Sequence, residues 1–509
     1  MNLINNIFLN FSKDLLQEID TSRSNPMLYQ YKWFKHLVEQ GSRSIFGIEH
    51  NFTGIKSVED FQKRVPIMDY NATAPYIKRA MEGEKNVLWN TATRMFAKSS
   101  GTSTDKSKFI PIAEESLQTT HYGGFRRMLA NYIHNNPKSR LFTGKALTLG
   151  GSVTPDRNGK ILTGDLSALL LHNSPTLIEF IRTPRKETAL IGDFEKKLEA
   201  ICRESTRKNV TNFSGVPSWN LMLLNKVLEY CGKTDITQVW PNMELFMHGG
   251  VGFEPYRPIF QKLIPSGNMH YQENYNASEG YFAFQDDLND KGMLLTVNNG
   301  IFYEFVPLEM LDDALAGKIH KVPLLHEVET GVNYAIVIST VGGLWRYLIG
   351  DTVQFVSTFP HKIIITGRTQ LCINAFGEEL MIANAEQAVS LACAECGCTV
   401  TDFTVAPVFM KMEENSHASK GFHRWAVEFD TPPHDTAAFA GRLDYHLTTL
   451  NSDYEAKRAS NATMGPLELH TLPKGSFFRW MQKKGKTGGQ NKVPRLYKDE
   501  TFITELLSL

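Results

Sequence analysis

The chain carries no excess of charge of either sign. Its 509 residues include 54 Lys and Arg against 54 Asp and Glu, so the formal net charge is zero. A balanced charge gives no support to broad binding of nucleic acid or of an acidic membrane surface. The sequence also lacks an apolar run long enough to cross a bilayer. We therefore expect neither a nucleic acid partner nor a membrane span.

Cysteine is scarce, with six residues in the whole chain. So few cysteines in so long a chain do not make a disulfide framework. Cys393, Cys396 and Cys398 lie close together, but no second cysteine or histidine pair follows at zinc spacing, so we interpret them as free thiols at a helix end. Residues 1–10 lack a basic segment and a clear cleavage site, so they do not resemble a signal peptide. A reducing, cytoplasmic location fits these features.

What is present is typical of a globular protein of more than one domain. Hydrophobic residues make up 42% and charged residues 21% of the chain, and 509 residues exceed what one hydrophobic core usually serves. Residues 1–90 have helical apolar spacing, punctuated by Pro66 and Pro75. Further on, apolar runs such as Ala146–Leu149 and Glu244–Met247 alternate with helical stretches, which indicates α/β layers.

Residues 281–366 are rich in β-branched and aromatic runs, which predict a sheet or barrel beside the α/β part. Near Gly367 and Arg368 we expect the chain to cross to a second domain, with an alternation of helix and strand patterns of its own. The predicted fold class is therefore α/β. It has a large N-terminal domain with a β-barrel-like part (residues 1–368) and a small mobile α+β domain (residues 369–509).

The most informative segment is the polar loop at residues 98–111. It contains the hydroxyls of Ser99, Ser100, Thr102, Ser103 and Thr104, together with Gly101 and the lysines Lys98, Lys106 and Lys108. Many donors at short range, a close backbone approach and positive charge are what a triphosphate requires. The spacing is not that of a Walker A loop. This loop predicts binding of ATP for the activation of a carboxylate, and a polar surface loop is the alternative.

A second segment, Tyr275–Gly280, places an aromatic ring, a hydroxyl and a carboxylate before a glycine. Mg²⁺ prefers hard oxygen ligands and usually takes one or two carboxylates plus phosphate oxygens. Glu279 is therefore a candidate Mg²⁺ ligand, and Tyr275 is a candidate for stacking on a base. A turn with a solvated glutamate is the alternative.

Four further positions are weaker candidates. Gly250 follows an apolar run in a glycine-rich turn, where ligands of open α/β sheets bind, and an ordinary tight turn is its alternative. Asp351 is predicted at the end of a strand, where a carboxylate can accept ribose hydroxyls, and an Asx turn is its alternative. Arg368 follows a strand and can direct its guanidinium at phosphate, or form a salt bridge at a domain edge. Lys492 lies between flexible glycines and Val-Pro; it either stabilises departing pyrophosphate or is a surface lysine.

Taken in order, these segments resemble the auxin-responsive acyl acid–amido synthetases, a branch of the acyl-adenylating superfamily that includes firefly luciferase and acyl-CoA synthetases. The resemblance covers nearly the whole chain, and the order and spacing of its motifs are specific where each motif alone is weak. These motifs are Val65–Tyr70, Ser99–Ser103, Gly215–Trp219, Tyr275–Glu279, Gly350-Asp351, Asn374–Glu378 and Lys492–Arg495.

The resemblance implies roles for the matching residues. Ser99, Ser100 and Thr102 would hold phosphates, with Lys108 closing the loop. Tyr275, Ser278 and Glu279 would lie at the nucleotide, with Glu279 on Mg²⁺, and Asp351 would bind the ribose. Arg368 would lie beside an interdomain hinge, and Lys492 would assist adenylation and then leave as the small domain rotates.

The chain departs from the family pattern at two motifs. The family's phosphate loop often has glycines where this chain has Thr104 and Asp105. The Tyr-Arg-x-Gly-Asp motif has Leu348 at its arginine position, and Arg346 precedes the tyrosine instead. These changes bear on the substrates more than on the nucleotide site.

The function implied is an ATP- and Mg²⁺-dependent ligase that adenylates a carboxylic acid and transfers the acyl group to an amine, an amino acid by expectation. One alternative is an acyl- or aryl-CoA synthetase, in which coenzyme A takes the acyl group. Another is a nucleotide-binding regulator without catalysis. The motifs predict binding of ATP, so they do not identify the acid or the acceptor.

Overall fold

The structure is a computed structural model that describes residues 3–100, 107–156, 158–253, 256–369, 372–409, 421–459, 463–483 and 495–508. The helices of these residues are α1 (Leu3–Phe11), α2 (Lys13–Ser24), α3 (Pro26–Gly41), α4 (Ile45–Glu49), α5 (Val58–Arg64), α6 (Tyr70–Met81), α7 (Glu114–Ser116), α8 (Gly123–Asn135), α9 (Leu166–His172), α10 (Lys186–Ala189), α11 (Phe194–Ser205), α12 (Pro217–Cys231), α13 (Arg257–Leu263), α14 (Leu311–Leu315), α15 (Ile382–Cys396), α16 (Thr436–Leu450), α17 (Ser452–Arg458), α18 (Ser476–Lys483) and α19 (Thr501–Leu507).

The strands are β1 (Met95–Ser100), β2 (Ser107–Ile112), β3 (Lys145–Leu147), β4 (Val153–Pro155), β5 (Leu162–Gly164), β6 (Arg182–Thr183), β7 (Val210–Gly215), β8 (Leu245–His248), β9 (His270–Ala277), β10 (Gly280–Phe284), β11 (Met293–Leu295), β12 (Ile301–Pro307), β13 (Asn333–Thr340), β14 (Tyr347–Thr358), β15 (His361–Arg368), β16 (Cys372–Ile373), β17 (Leu380–Met381), β18 (Thr399–Phe409), β19 (Gly421–Thr431) and β20 (Glu468–Leu472).

The helical start of the chain is as predicted, with α1 to α6 covering most of residues 3–81. One detail differs, because Pro75 lies inside α6 and does not interrupt it. The Asp69 side chain caps the first turn by accepting a hydrogen bond from the backbone N–H of Ala72, and one face of the helix is buried through residues such as Ile77. This capping and packing outweigh the one hydrogen bond that a proline removes.

The large domain is organised around one mixed sheet. Its strand order is β12-β13-β14-β15-β11-β10-β9-β8-β7-β3-β6 among the described residues. Strands β6, β3, β7, β8 and β9 run parallel, and the remainder pair antiparallel. The predicted α/β fold is thus confirmed, and the β-rich part predicted for 281–366 is found as the antiparallel half that continues the parallel strands. Strand β9 belongs to both halves, so its carboxyl end lies where the two meet.

A smaller sheet, in the order β2-β1-β5-β4, contains the two strands that flank residues 101–106 of the hydroxyl-rich segment. Strands β1 and β2 are antiparallel, and their register places Ser99 opposite Lys108 and Ser100 opposite Ser107. The buried residues Phe96 and Ile110 anchor this hairpin in the main hydrophobic core, which also includes strands of the large sheet. The hairpin therefore fixes the positions of Ser99 and Lys108, which flank residues 101–106 of the predicted phosphate loop, on the large domain.

Strand β14 corrects one prediction. The sequence predicts that a strand ends at Gly350-Asp351, whereas β14 continues through both residues. Gly350 has φ +98°, and the register of β14 slips against β13 so that Ile349, Gly350 and Asp351 together face Ile336. Glycine adopts this backbone conformation readily, and such a bulge redirects a side chain without ending the strand. The motif therefore marks a bulge that presents Asp351.

The C-terminal residues form a smaller α+β unit with its own core. Strands β18, β19 and β20 make a three-stranded sheet, and α15 and α16 pack with it around Phe403, Trp425 and Leu443. The alternation of helix and strand patterns expected after Arg368 is found as α15, β18, β19 and α16. The position of the domain boundary, between residues 368 and 369, stays a prediction. A search of the described residues for helices able to span a membrane found none.

Candidate active site

The tip of the β9–β10 hairpin presents the candidate metal ligand. Ala277 pairs with Gly280, so Ser278 and Glu279 form a two-residue turn between the strands. Ser278 is half-buried, whereas Glu279 is only 8% exposed. Burial raises the pKa of Glu279 to about 7, and the positive charge of Lys108 acts in the opposite direction. The sequence alternative of a solvated glutamate is therefore wrong, because this carboxyl is buried.

Lys108 reaches the same place from the neighbouring hairpin. It lies opposite Ser99 in the β1–β2 ladder, and its ammonium lies 5.7 Å from the ring centroid of Tyr70. The Tyr70 hydroxyl accepts a hydrogen bond of 3.0 Å from the backbone N–H of Phe109, which ties α6 to β2. The ring of Tyr70 thus flanks the lysine side chain, a role that the sequence analysis did not assign.

Tyr275 and Asp351 form a short hydrogen bond in the interior. The Tyr275 hydroxyl donates to Asp351 Oδ2 at 2.6 Å, and the Tyr275 ring packs against Phe282 with centroids 4.8 Å apart. Burial raises the pKa of Asp351, and the nearby Arg368 opposes that shift. Burial, then the charge of Asp351, raises the pKa of Tyr275 well above its usual range. In this structure Tyr275 orients Asp351; stacking on a base stays a prediction.

Arg368 extends this network toward the small domain. Its Nε lies 3.2 Å from Asp351 Oδ1, and its terminal nitrogen donates to Glu379 at 2.6 Å. The guanidinium therefore makes the salt bridge offered as the alternative in the sequence analysis, and a role toward phosphate stays a prediction. Glu379 was missed, since nothing in its sequence context sets it apart. Its position across the domain boundary becomes visible only in the fold.

The remaining candidates divide into three groups. Gly250 lies just beyond β8, as predicted, and its carbonyl accepts a hydrogen bond of 3.5 Å from the Asn374 side chain. Ser100 is placed by its backbone pairing alone. The candidates outside the described residues are Gly101, Thr102, Ser103 and Lys492.

Arg346 is a buried residue that stabilises the fold. It is 1% exposed, and its side chain forms an ion pair of 2.9 Å with Glu304, which is fully buried. It also donates to the backbone carbonyls of Gln62 and Val65 at 2.9 and 2.7 Å. These bonds fix the chain that leads into β14, so Arg346 supports the strand of Asp351 from the core.

Tyr347, the first residue of β14, is another residue that sequence reasoning did not single out. It is fully buried, its hydroxyl has no hydrogen-bond partner among the described residues, and burial followed by the charge of Glu279 raises its pKa well above the usual range. Its place in the Tyr-Leu-Ile-Gly-Asp motif was the available signal. Tyr347 therefore lies within electrostatic reach of the Glu279 carboxyl.

The geometry has the groups that a nucleotide and a metal require. Lys108 and the β1–β2 hairpin supply positive charge and hydroxyls, and Asp351 supplies an acceptor held by two donors. Glu279 is a buried carboxyl with Lys108 as its main opposing charge, which fits a ligand for a hard cation. The search of the described residues found no group of three or more ligands for a metal ion. Mg²⁺ does not need one, because phosphate and water complete its shell.

Solved structures share this fold over nearly its whole length. The acyl acid amido synthetase AtGH3.15 in complex with 2,4-DB matches with a TM-score of 0.61 and 17% identity, covering 98% of this chain and 96% of that one. A 2-hydroxyisobutyryl-CoA ligase matches with a TM-score of 0.57 and 13% identity, covering 96% and 93%. This chain therefore shares its fold with an acyl acid amido synthetase and a coenzyme A ligase.

Family models then define the group more narrowly. The GH3 family N-terminal, central and C-terminal domains match residues 15–269, 294–368 and 383–501. This chain belongs to the GH3 family, as the resemblance of its motifs implied. Similar curated proteins include the indole-3-acetic acid-amido synthetase GH3.3 of Arabidopsis thaliana, 23% identical over 97% of this chain and 93% of the relative. The jasmonoyl–L-amino acid synthetase GH3.5 of Oryza sativa subsp. japonica is 23% identical over 95% and 94%.

Proposed function

We propose that this protein is an ATP-dependent ligase that adenylates a carboxylic acid and transfers the acyl group to an amino acid. Membership of the GH3 family and the names of its relatives support this class of reaction. The observation that carries the proposal is the buried network of Tyr275, Asp351 and Arg368 beside the buried carboxyl of Glu279. In the proposed roles, Asp351 would bind ribose hydroxyls and Glu279 would bind a metal ion at the junction of the two sheet halves.

In the first step, ATP would bind along the β1–β2 hairpin. Ser99, Ser100 and Lys108, with the loop residues Gly101, Thr102 and Ser103, would hold its phosphates, and Asp351 would accept hydrogen bonds from the ribose hydroxyls. A carboxylate oxygen of the acid attacks the α-phosphorus. The bond from that phosphorus to the bridging oxygen breaks, and pyrophosphate leaves.

Glu279 is the residue that would hold Mg²⁺. When bound, the metal neutralises charge on the phosphates as the bond to pyrophosphate breaks. The contribution of this chain is to keep Glu279 buried and close to Lys108, so that a cation and phosphate oxygens bind together.

The second step requires an amine in place of the departed pyrophosphate. The amine nitrogen attacks the acyl carbon, the bond from that carbon to the adenylate oxygen breaks, and AMP leaves while the nitrogen loses a proton. We propose that the small domain, from residue 369 onward, rotates between the two steps near Arg368 and carries Lys492 away from the phosphates. We also propose a cytoplasmic location, because all six cysteines are free thiols.

A first test is acid-dependent exchange of pyrophosphate into ATP over a panel of aryl, indolyl and fatty acids. We expect exchange with one class of acid, and Glu279→Gln to reduce its rate on the order of 10²-fold, because the change removes a charged metal ligand. The Mg²⁺ concentration needed for half-maximal exchange should rise as well. Glu428→Gln is the matched control, since Glu428 is also buried but lies in the small domain. Its carboxylate accepts hydrogen bonds from the backbone N–H groups of Gly475 and Phe477. Equal rates for both variants would remove Glu279 from the site.

Tyr275→Phe tests the ribose assignment. The change removes the hydroxyl that orients Asp351 and keeps the ring, so we expect KM for ATP to rise about 10-fold to 100-fold, the size of one hydrogen bond to a charged group. Exchange at saturating ATP should change much less. Tyr303→Phe removes another buried hydroxyl, bonded to the Thr296 carbonyl at 3.1 Å, and should leave KM for ATP unchanged. A shift in both variants alike would indicate general loosening of the core.

A product assay distinguishes an amino acid from coenzyme A as the acceptor. The coenzyme A ligase among the structural neighbours shares the fold, so coenzyme A is the second candidate acceptor. Incubation of the enzyme with ATP, the active acid and either amino acids or coenzyme A should yield an amide and no thioester. A thioester would establish the second candidate. Tight ATP binding without exchange for any acid would favour a regulator.

A further inference from the structure

A buried lysine faces the large domain from the small one. Lys457, on α17, is 4% exposed, and its ammonium lies 3.9 Å from the ring centroid of Trp219. Trp219 is in the first turn of α12, which follows directly from the carboxyl end of β7. Ligands of open α/β sheets bind beyond this edge. The lysine thus reaches from one domain to the ligand-binding edge of the other.

The turn at Gly377 makes room for this side chain. Gly377 has φ +87°, and a Cβ atom there would lie 3.1 Å from both Cε and Nζ of Lys457 and 4.0 Å from Val216. A side chain there would press closely on the end of the lysine, and the positive φ would strain the backbone. The same turn is tied to the large domain by the Tyr256 hydroxyl, which donates to the Ala375 carbonyl at 2.9 Å. The position of Lys457 is thus set by both domains.

The ammonium of Lys457 has no close anion among the described residues. It makes no hydrogen bond there and no ion pair within 4.0 Å, and it lies over the ring of Trp219. A second buried lysine shows the difference, because Lys197 donates to the carbonyls of Gly150 and Gly151 at 2.6 and 2.9 Å. A buried cation without a close anion is costly. Burial accordingly lowers the pKa of Lys457 to about 8.

Four carboxylates act on this ammonium from a distance, namely those of Asp453, Glu378, Asp165 and Glu379. Three of them are bonded to other groups. Glu378 lies 2.8 Å from His423, Asp165 accepts from the Ser152 N–H at 2.8 Å, and Glu379 holds Arg368. Asp453 lies on the same helix as Lys457. These carboxylates favour the charged lysine and leave its hydrogen-bond donors available.

We propose that Lys457 binds the α-carboxylate of the acceptor amino acid during the second step, with Trp219 forming one wall of that subsite. This inference rests on the proposed function and names a binding residue for it. An ammonium that makes no hydrogen bond attracts an anion. The acceptor amino acid is the substrate that brings a carboxylate to the reaction after the acid has been activated. Phosphate is the other anion in the reaction. Trp219 follows β7, which lies two strand positions, or roughly 10 Å, from β9, the strand whose hairpin carries Glu279. Because the phosphates are expected near Glu279, this separation favours the acceptor as the anion that Lys457 binds.

The test separates the two half-reactions in Lys457→Met. Exchange of pyrophosphate into ATP should remain within about twofold of the wild type, since it does not involve the acceptor. In amide formation, KM for the best amino acid should rise about 10-fold to 100-fold, the effect of losing a charge-assisted hydrogen bond. KM for the α-carboxamide of the same amino acid should stay within about twofold, because that acceptor lacks the carboxylate. Lys457→Arg keeps the charge and should restore most of the preference for the amino acid over its carboxamide.

Lys474→Met is the matched control, because Lys474 is an exposed lysine of the same domain, paired with Asp430. It should leave all three values unchanged. Loss of exchange in Lys457→Met would overturn the proposal and assign the lysine to the phosphates. Equal increases in KM for amino acid and carboxamide, or no change in either, would overturn it also. If Lys457→Met fails to fold, Lys457→Gln takes its place with the same expectations. Absence of exchange in the wild type would refute the proposed function itself, and this inference with it.

Discussion

Lys492→Ala should abolish most of the adenylation activity while leaving ATP bound. Lys492 lies in the Lys492–Arg495 motif, one of those on which the resemblance to the family rests. A positioned cation stabilises the charge that develops on the phosphates as pyrophosphate leaves. Loss of one such group costs on the order of 10²-fold to 10³-fold in rate. Acid-dependent pyrophosphate exchange measures the loss, and a binding assay with ATP measures the affinity, which we expect to change little.

The control for this variant is Lys483→Ala. Lys483 is the exposed last residue of α18, from the same lysine-rich stretch, and its removal should leave exchange at the wild-type rate. Amide formation from a synthetic acyl-adenylate isolates the second step. Lys492→Ala should perform this step at nearly the wild-type rate, because Lys492 is expected to have left the site. An exchange rate equal to that of the wild type would show the assignment of Lys492 to be wrong.

Arg346→Met should lower the free energy of unfolding by about 3–5 kcal/mol, the cost of breaking a buried ion pair from one side. The substitution leaves Glu304, which is fully buried, without its 2.9 Å partner. It also removes donors from the carbonyls of Gln62 and Val65, so several buried groups lose their hydrogen bonds together. Urea unfolding followed by tryptophan fluorescence measures the change.

Two companion variants make this result specific. Arg346→Met combined with Glu304→Gln removes both charges, so it should recover part of the stability lost in the single variant. Arg79→Met makes the same substitution at a surface pair, whose partner Glu84 lies 2.8 Å away, and should leave the urea midpoint unchanged. If Arg346→Met also leaves the midpoint unchanged, the buried pair does not support β14 in the way we describe.

Local patterns were sufficient for most of the secondary structure. Apolar runs such as Tyr334–Ile338 mark strands because a buried strand needs few polar positions, and the spacing from Ile382 marks α15. The same reasoning was wrong at Gly350-Asp351, where it ended a strand that continues. A glycine in a strand pattern can mark a turn or a bulge, and a bulge depends on the partner strand, which a single sequence does not display.

The candidate site was predicted in part. Glu279, Tyr275 and Asp351 were identified by motif, since their residue types fit the chemistry of a nucleotide and the motifs keep a family order. Their partners were not predicted in the same way. Glu379 holds Arg368 and Lys457 contacts Trp219 only because two domains meet there. No periodicity or local spacing encodes the contact of Arg368 with Glu379 across the domain boundary, or that of Lys457 with Trp219, which is far from it along the chain.

The sequence by itself determined the class of fold, the family and the residue types proposed for the nucleotide site, because these depend on local periodicity and on motifs with a fixed order. The tertiary structure decided which of these residues are buried and what they touch. It gave Asp351 its orientation through Tyr275, it made Arg346 a core residue, and it left the ammonium of Lys457 without a close anion among the described residues. Burial and charge interactions arise from the packing of distant segments, so they exist only once the chain has folded.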